Sequence, residues 1–238
     1  MRSVQLAALG LCLLALPQRG PAQVGFIRHY AAVQKGYGGW VSAVREVADG
    51  YLFFADQVVA VEGGTETHSV VWKVNGAGDV VSIADQFPGN PRWSTFGIWD
   101  AVERLPNGQF AAPIIDNGLN YDQRIMIHLY NEQGDTVQTF VPIAGTTSDS
   151  SILVMRDLVR MQDGHYLIAG AVDSLPNELD TNPMLAKVSP TGELLWMKEY
   201  PVPGQLQSAV DAEEYPDGGA VVFGYRGAVG SDNKNFVL

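Results

Sequence analysis

Carboxylates and amides crowd four short stretches of this chain, and they are the residues best placed to do chemistry. The stretches read VEGGTETH (61–68), DNGLNYDQ (116–123), DSLPNELDTN (173–182) and GAVGSDNK (227–234). Asp116, Asn120 and Asp122 are oxygen ligands at close spacing, as are Asp173, Glu178 and Asp180. Calcium takes such ligands, but no twelve-residue calcium loop is spelled out. Solvated acidic loops are therefore the favoured reading, and calcium is the one cofactor left open. Asp232 in the last stretch and Trp93 upstream belong to the same candidate ligand-binding set.

A second series of acids recurs. Asp100, Asp157 and Asp211 stand near the start of comparable segments, with Ser42 in the first. Paired inward carboxylates would suit glycoside hydrolysis. A residue repeated in every unit more simply solves a problem that every unit has, such as hydrogen bonding a backbone, and that structural role is favoured. His29, His68, His128 and His165 do not pair at ligand spacing, so no metal site is expected. No G-x-S-x-G, H-E-x-x-H or phosphate-cradling glycine loop occurs, and no catalytic residue is assigned. Asp135-Thr136-Val137 and Asp173-Ser174-Leu175 resemble the short O-glycosylation signal of some bacteria.

The compartment bounds these options. Arg2, an apolar run Val4–Leu16 and the small residues Gly20-Pro21-Ala22 make residues 1–22 a secretory signal peptide, with the mature domain over 23–238. A lipoprotein reading through Cys12 is disfavoured, because Leu11 precedes it where a small residue is needed. Removing the leader takes away Arg2 and Arg19 and moves the formal charge from −11 to −13. It also removes Cys12, the only cysteine, so the mature chain has no disulfide and no thiol chemistry. The acidic balance argues against nucleic acid and anionic membranes as partners. No other segment approaches the length of a membrane span.

The elements that carry these residues repeat. Asp49-Gly50, Asn107-Gly108, Asp163-Gly164 and Asp217-Gly218 have glycines 58, 56 and 54 residues apart, and Gly78, Gly134 and Gly192 keep spacings of 56 and 58. Two turn series in step define units of about 55 residues. Each unit reads as four strands. The first has 41–47, 51–58, 70–74 and 80–83; the second 98–105, 109–115, 125–130 and 136–142. The third has 153–161, 165–172, 184–188 and 193–200, and the fourth 209–215, 220–225 and 235–238. YLFFA, GAVVFG and SVVW are nearly continuous in apolar residues, as strands covered on both faces are. The expected fold is all-β and propeller-like, with four units of four antiparallel strands and the last unit incomplete.

KVSPTGELLWMKEY followed by AVDAEEYPDGGAVVFGYR resembles the propeller repeats of secreted bacterial proteins. Those repeats read lysine, apolar, Asp, two variable residues, Gly, apolar, Trp, and later D-G-G with an apolar run and a glycine. The resemblance covers the mature chain, more loosely in units one and two. It implies export, and many such proteins use type IX secretion through a C-terminal sorting domain. Sialidase-like propellers carry S-x-D-x-G-x-T-W boxes where this chain has NGAGD, NEQGD and SPTGE, with only Trp196 in place, so that reading fails. The quinoprotein repeat, with a Thr-Gly and a Trp per blade, is matched only in the third unit.

The expected function is a secreted or cell-surface binding or scaffold module for an extracellular protein or glycan. The alternative is an exported carbohydrate-active hydrolase or lyase using carboxylates. Strands that alternate in direction put the tight turns at one end, and the long stretches above at the other with the connections 84–97 (Asp85, Trp93) and 143–152 (Asp149). That loop-rich end is the expected binding surface. Aligning Phe236 with Met184 stops the last unit inside its third strand, so the chain reads as part of a larger propeller. If four units close instead, Gly25–Tyr30, which matches Leu195–Tyr200, would pair with Asn235–Leu238.

Overall fold

The computed structural model describes residues 36–61, 64–86, 93–97, 101–117, 123–144, 151–174, 181–200, 205–228 and 234–237. All regular structure among them is β, in four antiparallel sheets. Sheet 1 holds β1 (Gly36–Val47), β2 (Gly50–Val61), β3 (Gly64–Asn75) and β4 (Val80–Asp85) in sequence order. Sheet 2 holds β5 (Trp93–Phe96), β6 (Glu103–Arg104), β7 (Phe110–Asn117), β8 (Gln123–Tyr130) and β9 (Thr136–Ile143). Sheet 3 holds β10 (Ser151–Arg160), β11 (Tyr166–Ser174), β12 (Thr181–Val188) and β13 (Leu194–Glu199). Sheet 4 has three strands: β14 (Gln205–Glu214), β15 (Ala220–Ala228) and β16 (Lys234–Val237). The all-β, repeated-unit expectation holds.

The period has a chemical cause in two kinds of turn. Between third and fourth strands, the side chain that opens the turn accepts two backbone N–H groups. Asn75 Oδ1 accepts from Ala77 and Asp79 at 3.0 and 2.9 Å, and Asn131 Oδ1 from Gln133 and Asp135 at 3.0 and 2.9 Å. Ser189 Oγ does the same for Thr191 and Glu193 at 3.3 and 3.0 Å. Between first and second strands the acceptor sits two residues later: Asn107, Asp163 and Asp217 each take the N–H two positions on. Gly78, Gly108, Gly134, Gly164, Gly192 and Gly218 then supply φ of 84–88°, which other residues resist.

Four expectations need correction. Ala48-Asp49 alone forms the first turn, and Gly50 pairs with Val47 as the first residue of β2 at φ 154°, so it is no member of the turn series. The stretch 61–68 is not a long loop, because β2 and β3 extend to Val61 and Gly64 around residues 62–63. Thr67 and Ser69 are buried there while Glu66 and His68 are half-buried, the alternation of a strand that its polarity disguised. Of the strand expected over 98–105 the described residues form only β6, while β5 lies before that span, and the two pair opposite ends of β7. Finally, Gly170 pairs with Met184 and Gly224 with Val237, so the counterpart of Met184 is Val237 and not Phe236.

Successive sheets stack face to face. Leu52, Phe54 and Val71 of sheet 1 pack on Phe96, Phe110, Ile114 and Tyr130 of sheet 2. Phe54 lies at their centre, edge-on to Phe96 at 5.6 Å and to Tyr130 at 5.3 Å. Ile127, Leu129 and Phe140 of sheet 2 meet Met155, Ile168 and Val188 of sheet 3, and Leu167 and Leu185 of sheet 3 meet Ala209 and Ala212 of sheet 4. The turns between third and fourth strands reach back onto the preceding sheet. A Cβ on Gly134 would stand 3.1 Å from Val71, and one on Gly192 would stand 2.4 Å from the Phe140 ring.

That contact separates two costs of losing a glycine. Gly218 has the same φ as Gly192 but nothing within 4 Å of an added Cβ. Gly218→Ala should cost about 1–2 kcal/mol from the backbone alone. Gly192→Ala should cost a further ~1–3 kcal/mol from overpacking. Urea unfolding of the two variants checks this, and equal losses would show that the Phe140 contact does not matter.

Candidate functional site

The interface between sheets 1 and 2 changes character along its length. Near the tight turns it is aromatic and aliphatic; toward the other end the same faces carry Asp56, Ser69, Ser94 and Asp116. Asp56, on β2, is 1% exposed. Its Oδ1 accepts from Ser69 Oγ at 3.0 Å and from the backbone N–H of Phe96 at 2.9 Å, and its Oδ2 accepts from Ser42 Oγ at 3.4 Å. The Trp40 side chain is a further hydrogen-bond partner. One carboxyl thus joins β1, β2 and β3 to the first strand of the next sheet. Beside it, the Ser69 N–H donates to Ser94 Oγ at 3.0 Å. Burial pushes the Asp56 pKa from 3.8 up to about 7, against the pull of these donors.

Asp116 lies in the same cross-strand row as Ser94 and Arg124. It has no exposed surface, and its Oδ2 is 3.8 Å from Nε of Arg124, which is a third exposed. The loop-end carboxylate expected at Asp116 is therefore a buried strand residue.

A second carboxyl makes the same kind of junction between sheets 3 and 4. Asp157, on β10, accepts from Leu158 N–H at 2.8 Å through Oδ1 and from Ala212 N–H at 2.9 Å through Oδ2. Burial raises its pKa to about 7, the Ala212 bond opposes that, and a hydrogen bond to Asp211 with its negative charge adds to the rise. Both Asp157 oxygens are thus engaged in fastening backbone. Ser42 does not replace the recurring acid; it donates to Asp56 instead. Asp100 lies outside the described residues.

The histidines do different things. His68 is held between Asp85 at 2.8 Å and Glu66 at 3.1 Å. Burial lowers its pKa, but the two carboxylates outweigh that and the net shift is upward. His128 is buried beside Tyr130, 3.3 Å from its hydroxyl, and desolvation takes its pKa down to about 4. His165 meets Asp163, which also pairs with Lys187 at 2.9 Å. Among the described residues no group of three or more His, Cys, Asp or Glu is arranged to hold a metal ion, and no helix is long and apolar enough to cross a membrane.

The remaining candidates scatter. Trp93 is not in a connection; it opens β5 and pairs with Asn117. Asp173 lies inside β11, paired with Ile152 and Thr181. Asn120, Asp122, Glu178, Asp180 and Asp232 fall outside the described residues, as do Asp149, His29 and the signal peptide. Thr136 donates to Gln86 at 2.8 Å, which engages the hydroxyl of the first glycosylation-like triplet. Sequence reasoning missed Asp56, Ser69, Ser94 and Arg124. One signal was there: Asp56 is the sole charge within the apolar run of β2. No protein-family model matches the chain, and no curated protein matches it.

The buried acids set a pH dependence. The folded state raises the Asp56 and Asp157 pKa values above those of the unfolded chain, so it binds their protons more tightly. Their contribution to stability is greatest below about pH 4 and is lost as pH rises toward about 7. The upward shift at His68 has the same sign: its contribution is present below its unfolded value and lost as pH rises through its folded one. His128 acts oppositely: its lowered pKa makes its contribution grow as pH rises from about 4 to 6.5. The two acids outweigh it, so thermal melts from pH 5 to 8 should show stability falling with pH. Asp56→Asn should flatten that slope, most of all below pH 6.5 where His128 offsets Asp157, and an unchanged slope would mean that Asp56 is ionised throughout.

Proposed function

We propose that this is an exported, secreted or cell-surface propeller repeat protein that works as a binding or scaffold module for an extracellular protein or glycan. The sequence resemblance to type IX-exported propeller repeats supports the export part of that reading. The single observation that carries the binding part is the use made of the acids. Asp157 has both oxygens on backbone N–H groups, and Asp56 accepts one backbone and two hydroxyl donors. Such carboxyls hold a scaffold, and variable chain ends of a rigid scaffold are where recognition sits.

The alternative, a carbohydrate-active hydrolase or lyase, draws on the pairing of a raised Asp157 with the exposed Asp211. Against it, the two carboxyls are hydrogen-bonded to each other. Retaining glycosidases hold theirs about 5 Å apart on either side of the scissile bond, and inverting ones roughly 6.5–9.5 Å apart, to leave room for the attacking water. A panel of neutral, sulfated and uronic-acid polysaccharides separates the readings, scored both for binding and for release of reducing ends or unsaturated uronates. Binding without turnover is expected. Asn120→Ala and Asp180→Ala, in the stretches opposite the tight turns, should weaken that binding about tenfold, or ~1.4 kcal/mol, with unchanged melting temperature. Gln133→Ala, at the tight-turn end, should not. Turnover lost in Asp211→Asn would instead establish the enzyme.

A further inference from the structure

Sheet 1 carries a longer overhang than sheets 2 and 3. β4 ends at Asp85, opposite Val70, and the Gln86 N–H reaches one residue further, to the Ser69 carbonyl at 3.1 Å. The ladder between β2 and β3 runs on to Val61 and Gly64. Residues 64–68 of β3 therefore pair with β2 on one side and, among the described residues, with no outer strand on the other. The corresponding overhangs are residues 123–124 of β8 and 181–182 of β12. On the inner side, β1 accompanies β2 only as far as Val59, which pairs with Gly36. Two strands alone are at best marginally stable in water, so the end of this hairpin depends on what side chains hold it.

One cluster ties the overhang to the outer strand. The His68 side chain is 15% exposed, with Nδ1 at 2.8 Å from Asp85 Oδ2 and Nε2 at 3.1 Å from Glu66 Oε2. Glu66 lies two residues back on the same strand and face, and Asp85 is the last residue of β4. An ionised carboxylate only accepts hydrogen bonds, so each contact needs an N–H on the ring. A neutral imidazole has one and an imidazolium has two. With a single N–H, the other nitrogen would turn its lone pair toward a carboxylate oxygen. The geometry is that of a doubly protonated ring. Across the sheet the same row holds Gln57 on β2, an uncharged amide, and Gly39 on β1. Among the described residues, Glu66 and Asp85 are thus the ionisable groups that face His68. They approach opposite ring nitrogens, so one ion cannot join both to the ring, and the cluster suits a proton rather than a metal.

We propose that Glu66, His68 and Asp85 form a proton-operated latch: with both ring nitrogens protonated, His68 clasps the hairpin overhang to the end of β4, and loss of one proton releases it. Deprotonation removes one of the two charge-assisted hydrogen bonds and leaves the other with a neutral donor, which is the weaker kind. The two carboxylates favour the charged ring, so the latch is closed at acid pH and opens as pH rises through the His68 midpoint. The opening is local. From Val70 onward β3 is held by β4, and Phe54 and Val71 are packed on sheet 2, so only the end of the hairpin loosens. That end lies opposite the tight turns, and on the binding reading above the same proton would set the shape of part of the recognition surface. The latch rests on the geometry and not on that reading, and its test uses no ligand.

The His68 ring can be followed by NMR titration and assigned by its loss in His68→Gln. Its midpoint should lie above 6.5, and Glu66→Gln and Asp85→Asn should each lower it. Hydrogen exchange is then measured one pH unit below and one above that midpoint and corrected for the intrinsic rate. Protection of the amides of residues 58–61 and 64–68 should fall about threefold to tenfold across the interval, as linkage of a local opening to one proton requires. In His68→Gln those amides should be weakly protected at both pH values, so that the difference disappears. A midpoint at or below 6.5, or one unmoved by both carboxylate variants, would overturn the latch. So would unchanged protection in the wild type, or a fall that persists in His68→Gln, which would trace the loosening to other groups.

Discussion

A single four-stranded sheet of this size cannot bury both of its faces, and the packing of each sheet on the next is the constraint from which the other features follow. Phe54 shows the logic. Its ring is fully buried, yet its nearest aromatic partners Phe96 and Tyr130 belong to the following sheet. Burying such a side chain contributes about 1.5–3 kcal/mol, and none of that is available to sheet 1 alone. The near-continuous apolar runs are therefore a consequence of stacking. In sheet 3, Met155 and Ile168 pack back on sheet 2, while Leu167 and Leu185, on the opposite face, pack on sheet 4.

The interfaces combine two kinds of contact. Among the described residues, the apolar cluster between sheets 2 and 3 has sixteen members, that between sheets 1 and 2 twelve and that between sheets 3 and 4 six. At two of them an aspartate accepts a backbone N–H of the next sheet, Asp56 from Phe96 and Asp157 from Ala212. Glu214 adds another bond between sheets 3 and 4, accepting from Gln162 N–H at 2.6 Å. Hydrogen bonds to such groups are directional where apolar contact is not, so they fix the angle and register between the sheets.

Much of this architecture was legible in the residues, because the turns are spelled by side chains with one possible job. Asn75, Asn131 and Ser189 open one series, and Asn107, Asp163 and Asp217 mark the other; each is short, polar and followed by glycine, which is what a turn with positive φ demands. The candidate site was far less legible. Asp56 lies in no turn and repeats in no other unit, so neither spacing nor motif singled it out; only its isolation in an apolar strand did. Asp116 and Trp93 sat in stretches whose polarity resembled loops, yet both belong to strands. Polarity reports contact with water or with other polar groups, and the sequence does not distinguish the two until the neighbouring sheet is in place.

The same ambiguity bears on how the acids are read for function. A carboxyl whose pKa is pushed to about 7 is often a catalytic group, and both Asp56 and Asp157 meet that description. What separates fastener from catalyst is the fate of the oxygens. A general acid or nucleophile must present an oxygen to a substrate, whereas Asp157 has both turned onto Leu158 and Ala212, the second of them in another sheet. Its raised pKa follows from the burial that an inter-sheet position imposes. In that bulged strand the carboxylate's two oxygens reach separate backbone donors, one on its own strand and one in the next sheet. On this argument a perturbed pKa marks the seams of the scaffold, and the surface left for recognition is the one the seams hold rigid.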